Sequence, residues 1–319
     1  MINEESVNLI DITKMPVRSG SSFFDALIRA REFLLNTISG VDDKSVVNRN
    51  MVPGDMKPST DLAEKLKQTL DDLKISVMDA EGVNVNHKAL RSSKAYAAYH
   101  EECLAVLDLF NPEELKPGEA RRAFWINLYN ALVMDAVIDL RVQRSVTEGR
   151  LGMLTFFRKA AYSVYGRRMS LEDIEHGILR GNRGNPYVPG VQFSSSDSRS
   201  EWVLPIDVRI HFAINCGGRS CPPIRSYSPD KLYEQLDIAA RSFVHGTVVV
   251  RPESNEVSLS KIFRWYQADF GGHDGVVEFL INNLPNDSRR DFLRTFGVNV
   301  RLVYEPYNWD LNGYGAAID

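Results

Sequence analysis

The chain has 319 residues, enough for one large domain or for a core with a smaller extension, and enough to bury a substantial core. With 44% hydrophobic and 25% charged residues and a formal net charge of −4, it has the composition of an ordinary globular protein, with no bulk electrostatic drive toward nucleic acid or acidic membranes. No apolar run is long enough to span a bilayer, and the first 30 residues hold no basic stretch leading into an apolar one, so neither a membrane span nor a secretory leader is expected.

In chain order, residues 1–20 carry little periodicity. From Ser21 to Ile38, apolar Phe24, Leu27, Ile28, Phe33 and Leu34 recur at roughly helical spacing. The stretch 41–60 is polar, contains two prolines and reads as a loop. After Ser59 and Thr60, Leu62, Leu66, Leu70 and Leu73 form an amphipathic stripe. The stripe is predicted to pack on the chain's own core, with docking of a protein partner through these N-terminal helices as the alternative.

Residues 119–140 give the clearest helix, apolar almost all round between 123 and 138 and therefore buried on most sides. Asn127 and Asn130 lie three apart on it and are surface neighbours. An unpaired buried amide costs about 1–3 kcal/mol, so these two either bond loop backbone and pin the fold, or one of them orients a catalytic histidine. A second helix is predicted from Ser170, with Asp173 completing a capping box and Gly181 closing the last turn. Leu171, Ile174 and Ile178 form its inner stripe, and Glu175 and His176 sit near its edge. Residues 182–205, rich in Gly, Pro and Ser, read as a long irregular connection of the kind that borders functional sites.

Residues 208–215, VRIHFAIN, alternate as a strand, with Val208, Ile210, Phe212 and Ile214 on one face and Arg209, His211, Ala213 and Asn215 on the other. The run ends in Cys216-Gly217-Gly218, where glycine permits φ > 0 and leaves backbone N–H groups accessible. Cys221-Pro222-Pro223 makes a stiff exit, and Ser228 is the expected cap of the following helix. Cysteines occur only at 103, 216 and 221, too few for a disulfide scaffold, so reduced thiols in a cytoplasmic setting are the expectation.

Four readings of this segment stand side by side. In the first, Cys216 is a nucleophile with His211 or His176 as base, and the amides of Gly217, Gly218 and Cys221 hold an oxyanion. An extended strand would put His211 and Cys216 on opposite faces, so the Gly-Gly turn must redirect the thiol or His176 must serve. In the second, Cys216 and Cys221 are a redox pair, at a spacing wider than CxxC. In the third, His211, both cysteines and His176 bind zinc, at spacings unlike the close ligand pairs of common zinc sites. In the fourth, the thiols and the histidine are structural.

Five motifs occur in a fixed order: AFWINLYNAL at 123–132, SLEDIEH-ILR at 170–180, RIHFAINCGGRSCPPIR at 209–225, LSKIFRWYQADF at 259–270 and YEPYNWDLN at 304–312. Together they resemble the family called domain of unknown function 547, over about residues 85–319, with VNVNHKALRSS at 83–93 similar to its opening segment. His87 stands there where the family has an aromatic. The resemblance implies no reaction, but Asn127, Asn130, Glu175, His176, His211, Cys216, Cys221, Trp265, Asp269 and Trp309 fall at its motif positions. Among the later motifs, Leu259, Ile262, Phe263, Tyr266 and Phe270 read as a helical core stripe capped by Ser258 or Ser260, Asp269 as a partner for an arginine such as Arg264, and Asp310 as an orienting carboxylate.

The expected fold is α+β (mixed α/β), a helix-rich core around a small sheet over residues 83–319, with a helical N-terminal extension over 1–82. A relationship to papain-like or transglutaminase-like hydrolases enters by analogy alone. The leading functional expectation is a thiol-dependent hydrolase or acyl transferase acting on a small molecule or peptide, with Cys216, His211, His176, Asn127, Asn130 and Glu175 at its site and no cofactor or metal. The alternative is a non-catalytic interaction module whose polar residues brace the fold.

Overall fold

A computed structural model describes residues 22–42, 44–49, 62–116, 118–149 and 151–314. The central element is the helix Gly118–Asp139, in which every residue from Arg122 to Val137 is buried, as a helix apolar on nearly all sides requires. Leu62, Leu66, Leu70 and Leu73 of the helix Leu62–Val77 enter the same core, so the amphipathic stripe faces the chain itself. Each buried leucine contributes on the order of 2 kcal/mol. Residues 1–20, 50–60 and the expected cap pair Ser59 and Thr60 lie outside the described residues.

The helix Ser22–Ser39 is attached differently. Phe24, Leu27, Phe33 and Leu34 are exposed, and polar contacts fasten the helix to the irregular stretch after 182. Ser195 donates its backbone N–H and its hydroxyl to Asp25, and the Arg31 guanidinium donates to the carbonyls of Pro189 and Val191. That stretch is irregular apart from one short turn, Ser198–Trp202.

The sheets are small. Strand β1 (Val85–Asn86) pairs in parallel with a strand near the C-terminal end, Gly313–Tyr314. Strands β2 (Ala161–Val164) and β3 (Arg167–Ser170) form an antiparallel hairpin. Strands β4 (Val249–Arg251), β5 (Glu256–Ser260) and β6 (Arg301–Glu305) make the largest sheet, in which β5 runs antiparallel to β4 and parallel to β6. Val257 and Leu259 of β5 meet Phe243, Val276, Leu280 and Leu293 from the helices Leu232–Thr247, Gly272–Asn283 and Ser288–Phe296 in a second core. The fold is therefore helix-rich α+β. Among the described residues no helix is long and apolar enough to cross a membrane.

Four local expectations are corrected. Residues 208–212 are a 3-10 turn, not a strand: Asp207 caps it, Ile210 N–H bonds the Asp207 carbonyl, and Ala213 N–H bonds the Ile210 carbonyl. The alternating pattern arises because the segment lies between both cores, with Ile210, Ala213 and Ile214 in the first and Phe212 in the second. The helix expected from Ser170 does start in a reciprocal capping box with Asp173, and Gly181 ends it at φ +67°, but it is wound as a π-helix over Asp173–Leu179. Leu259 belongs to β5, and Ser260 caps only the short helix Lys261–Trp265. Ser228 makes no side-chain cap; Gln235 reaches back to accept its N–H instead.

Candidate active site

The π-helical stretch lies in the interior: every residue from Asp173 to Leu179 is buried, so Glu175 and His176 are both inside instead of at a helix edge. Gly177 is required here, because a Cβ at that position would lie 2.2 Å from the Phe193 ring.

Glu175 accepts hydrogen bonds from the Tyr129 hydroxyl at 3.0 Å and the Tyr266 hydroxyl at 2.5 Å. Burial raises its pKa against the pull of those donors. His176 accepts at Nδ1 from Arg180 at 2.9 Å, which fixes the proton on Nε2. Burial and the adjacent guanidinium keep this imidazole neutral, with its pKa well below the usual range.

Arg180 continues to Asp269 through two bonds, Nε to Oδ2 at 2.7 Å and Nη2 to Oδ1 at 3.1 Å. Asp269 also receives Arg183 at 2.8 Å and His211 Nε2 at 3.0 Å. Burial opposes the charge on Asp269, but the bonds from His211 and Arg180 prevail and hold its pKa well below the ordinary carboxylate range. The partners of Asp269 are thus Arg180 and Arg183, and not Arg264.

His211 stacks on Tyr266 with ring centroids 3.9 Å apart. Burial and Arg180 bring its pKa down to about 4 despite Asp269, so it is neutral near pH 7. With Nε2–H donated to Asp269, Nδ1 carries the lone pair, and it is buried with no hydrogen-bond partner among the described residues.

The turn after His211 is closed by a disulfide between Cys216 and Cys221, with Cα atoms 6.1 Å apart. The expectation of free thiols therefore holds only for Cys103, which is buried, its pKa raised to about 11 by that burial. The oxyanion role expected of the turn is also corrected. Gly217 N–H bonds Asn215 Oδ1, the N–H groups of Cys216 and Gly218 both bond Cys221 Sγ, and Cys221 N–H bonds the Gly218 carbonyl, so every candidate donor is engaged. Gly217 has φ +83°, and a Cβ there would meet Val146 at 3.0 Å, so a bare backbone is needed on both counts. The zinc reading needs two thiolates that are here bonded to one another, and no group of His, Cys, Asp or Glu among the described residues is placed to hold a metal ion.

Asn127 and Asn130 bond backbone rather than a histidine. Asn127 exchanges two bonds with the backbone of Tyr227, while Asn130 donates to the carbonyls of Ala213 and Arg225 and accepts from the N–H of Asn215. Both ends of the cysteine turn are thereby tied to the central helix. Asp310 is exposed and meets Ser145 through backbone.

Glu175, His176, His211 and Cys216 all line one cavity of about 500 Å³. Its remaining surface is largely apolar, and Trp265, Tyr307 and Trp309 form one wall with centroids 4.6–5.5 Å apart. At its edge Glu172 pairs with Arg158 at 2.8 Å and accepts from Asn185; burial nonetheless raises its pKa to about 7. Sequence reasoning did not single out Glu172 or Tyr307. The Tyr307 hydroxyl lies 3.3 Å from Cys216 Sγ and 3.1 Å from Cys221 Sγ, and the aromatic run 304–309 was the available signal. Neither histidine hydrogen-bonds Cys216.

A helix-rich α+β fold with one polar-floored cavity defines the class of protein. Residues 112–244 are similar to the family described as Protein of unknown function, DUF547, which supports the resemblance over the motifs at 123–132, 170–180 and 209–225. Asp269, Tyr307 and Trp309 lie beyond the matched residues and yet complete the site. No curated protein and no solved structure matches the chain.

Proposed function

We propose that the chain is an enzyme of acyl transfer or hydrolysis, acting through the reduced Cys216 thiol on a small substrate with an apolar body. The observation that carries this reading is the meeting of Cys216, His176 and His211 in one cavity. A substrate of that description fits the apolar wall and presents its carbonyl to the polar floor.

The two imidazoles take different roles. His211, held at Nε2 by Asp269, has its free lone pair at Nδ1 and is the base for the thiol proton. His176 has its lone pair occupied by Arg180, so its Nε2–H is a donor toward substrate oxygen. The Tyr307 hydroxyl, held protonated by burial, takes over the donor role that the turn amides do not fill. Reduction of the disulfide by two equivalents of a small thiol, themselves oxidised to a disulfide, precedes catalysis, because it frees the Cys216 side chain to rotate toward His211.

The test is thiol labelling. A Cys221→Ser chain leaves Cys216 as the one thiol besides buried Cys103. Its alkylation by iodoacetamide at pH 7 is expected to run at least about tenfold faster than that of free cysteine and to fall in His211→Asn. A rate equal to free cysteine would sink the nucleophile and favour a role as a non-catalytic brace.

A further inference from the structure

The environment of the two sulfur atoms is unequal. Cys221 Sγ is buried and receives three donors: the backbone N–H groups of Cys216 and Gly218, each at 3.3 Å, and the Tyr307 hydroxyl at 3.1 Å. Cys216 lines the cavity, and among the described residues its Sγ has only the shared Tyr307 hydroxyl as a hydrogen-bonding neighbour. Donors converging on a sulfur stabilise its thiolate and make it the better leaving group in disulfide cleavage.

The turn does not depend on its disulfide for shape. Asn215 donates to the Pro222 carbonyl at 2.6 Å and accepts from Gly217 N–H at 2.7 Å. Asn312 N–H bonds the Gly217 carbonyl, and Ser220 and Arg219 donate their N–H groups to the carbonyls of Asn308 and Asp310. Asn130 holds the segment from the other side. Opening the S–S bond leaves all of these in place.

We infer that Cys216 and Cys221 form an exchange-active pair that reacts with small thiols entering the cavity, with Cys216 as the attacked sulfur and Cys221 as the leaving thiolate. A thiolate RS⁻ attacks Cys216 Sγ, the S–S bond breaks, and its electron pair departs on Cys221 Sγ, giving a Cys216–S–S–R mixed disulfide. Cys221 then either attacks back and expels RS⁻, or a second RS⁻ attacks the R sulfur and releases RSSR with both protein thiols reduced. Two small thiols are oxidised as one protein disulfide is reduced, and the reverse sequence restores the pair. This activity goes beyond the acyl chemistry proposed above and uses none of its substrates.

The oxidised full chain is treated with 2-mercaptoethanol without oxygen, quenched in acid, and its adducts are mapped by mass spectrometry. A single mercaptoethanol adduct on Cys216, with Cys221 recovered as a thiol, is expected. Tyr307→Phe should open roughly three- to tenfold more slowly, since the leaving thiolate loses one donor. A thiol tethered to a large polymer, unable to enter the cavity, should react at least about tenfold more slowly than 2-mercaptoethanol. An adduct on Cys221, equal rates for the free and tethered thiols, or an unchanged rate in folded Tyr307→Phe would each overturn the inference. Should that variant not fold, the mapping and the size dependence in the natural chain decide alone. Failure of the alkylation test for the acyl reaction leaves these results unaffected, and their failure leaves the nucleophile standing.

Discussion

Asp269 is the residue on which the polar floor turns. One carboxylate, fully buried at its side chain, answers Arg180, Arg183 and His211. Replacing Asp269 with Asn keeps the shape and removes the charge, leaving Arg180 buried against a neutral amide. A loss of about 3–5 kcal/mol in stability is expected, because breaking a buried pair strands the remaining ion. Urea denaturation measures it, and a loss below about 1 kcal/mol would show that solvent reaches the pair. At this scale the sequence was informative about which residues matter and silent about their partners. His211 and Asp269 stand 58 residues apart and Arg180 and Asp269 stand 89 apart, so no local spacing could link them. Arg264 was the nearby choice, and its guanidinium instead lies over the Tyr304 ring at 5.9 Å.

Among the elements, the central helix was legible because sixteen consecutive positions, 122 to 137, are buried and the pattern is apolar all round. Its two asparagines show why burial alone does not reveal a role. Asn130 replaces by side chain the strand neighbour that residues 208–215 lack, satisfying Asn215 N–H and two carbonyls. Asn130→Ala is expected to cost about 2–4 kcal/mol, since three backbone groups lose a buried partner. Thermal or urea unfolding checks this, and the same variant should raise the mobility of the cysteine turn in hydrogen exchange. The π-helical stretch was the least legible element. Its apolar pattern fits an ordinary helix, and the wider winding shows only in backbone bonds that reach five residues back, such as Arg180 N–H to the Glu175 carbonyl.

For the whole molecule, buried titratable groups set the response to acid. His87, His176 and His211 are all kept neutral by burial, the first and last with pKa values of about 4. Unfolded imidazoles titrate near about 6.5, so the unfolded chain binds more protons between that value and the folded ones, and stability falls as pH drops through the window. Glu172, at about 7, and Glu175, also raised, work in the opposite sense: they favour the fold below about 4.5 and lose that contribution as pH rises through their folded values. Three histidines against two carboxyls are expected to leave a net loss of stability between pH 6.5 and 5. Urea midpoints at the two pH values decide it, and a gain in stability on acidification would mean that the carboxyls dominate. The broad class of the fold was legible at this scale from helix periodicity and length. The division into two cores bridged by residues 208–215 was not, because a segment buried on both sides shows the same alternation as a half-buried strand.

The Tyr307 hydroxyl that serves the cysteine pair stands 91 residues after Cys216 in the chain. During synthesis at about 5–20 residues per second, the thiols precede it by roughly 5–20 s. For that interval the nascent turn holds two cysteines with neither the phenol nor the Trp309 wall beside them. Whether the pair is first oxidised or first enclosed is therefore a race between the ribosome and exchange with a small disulfide, which leaves as two thiols, run once for every molecule made.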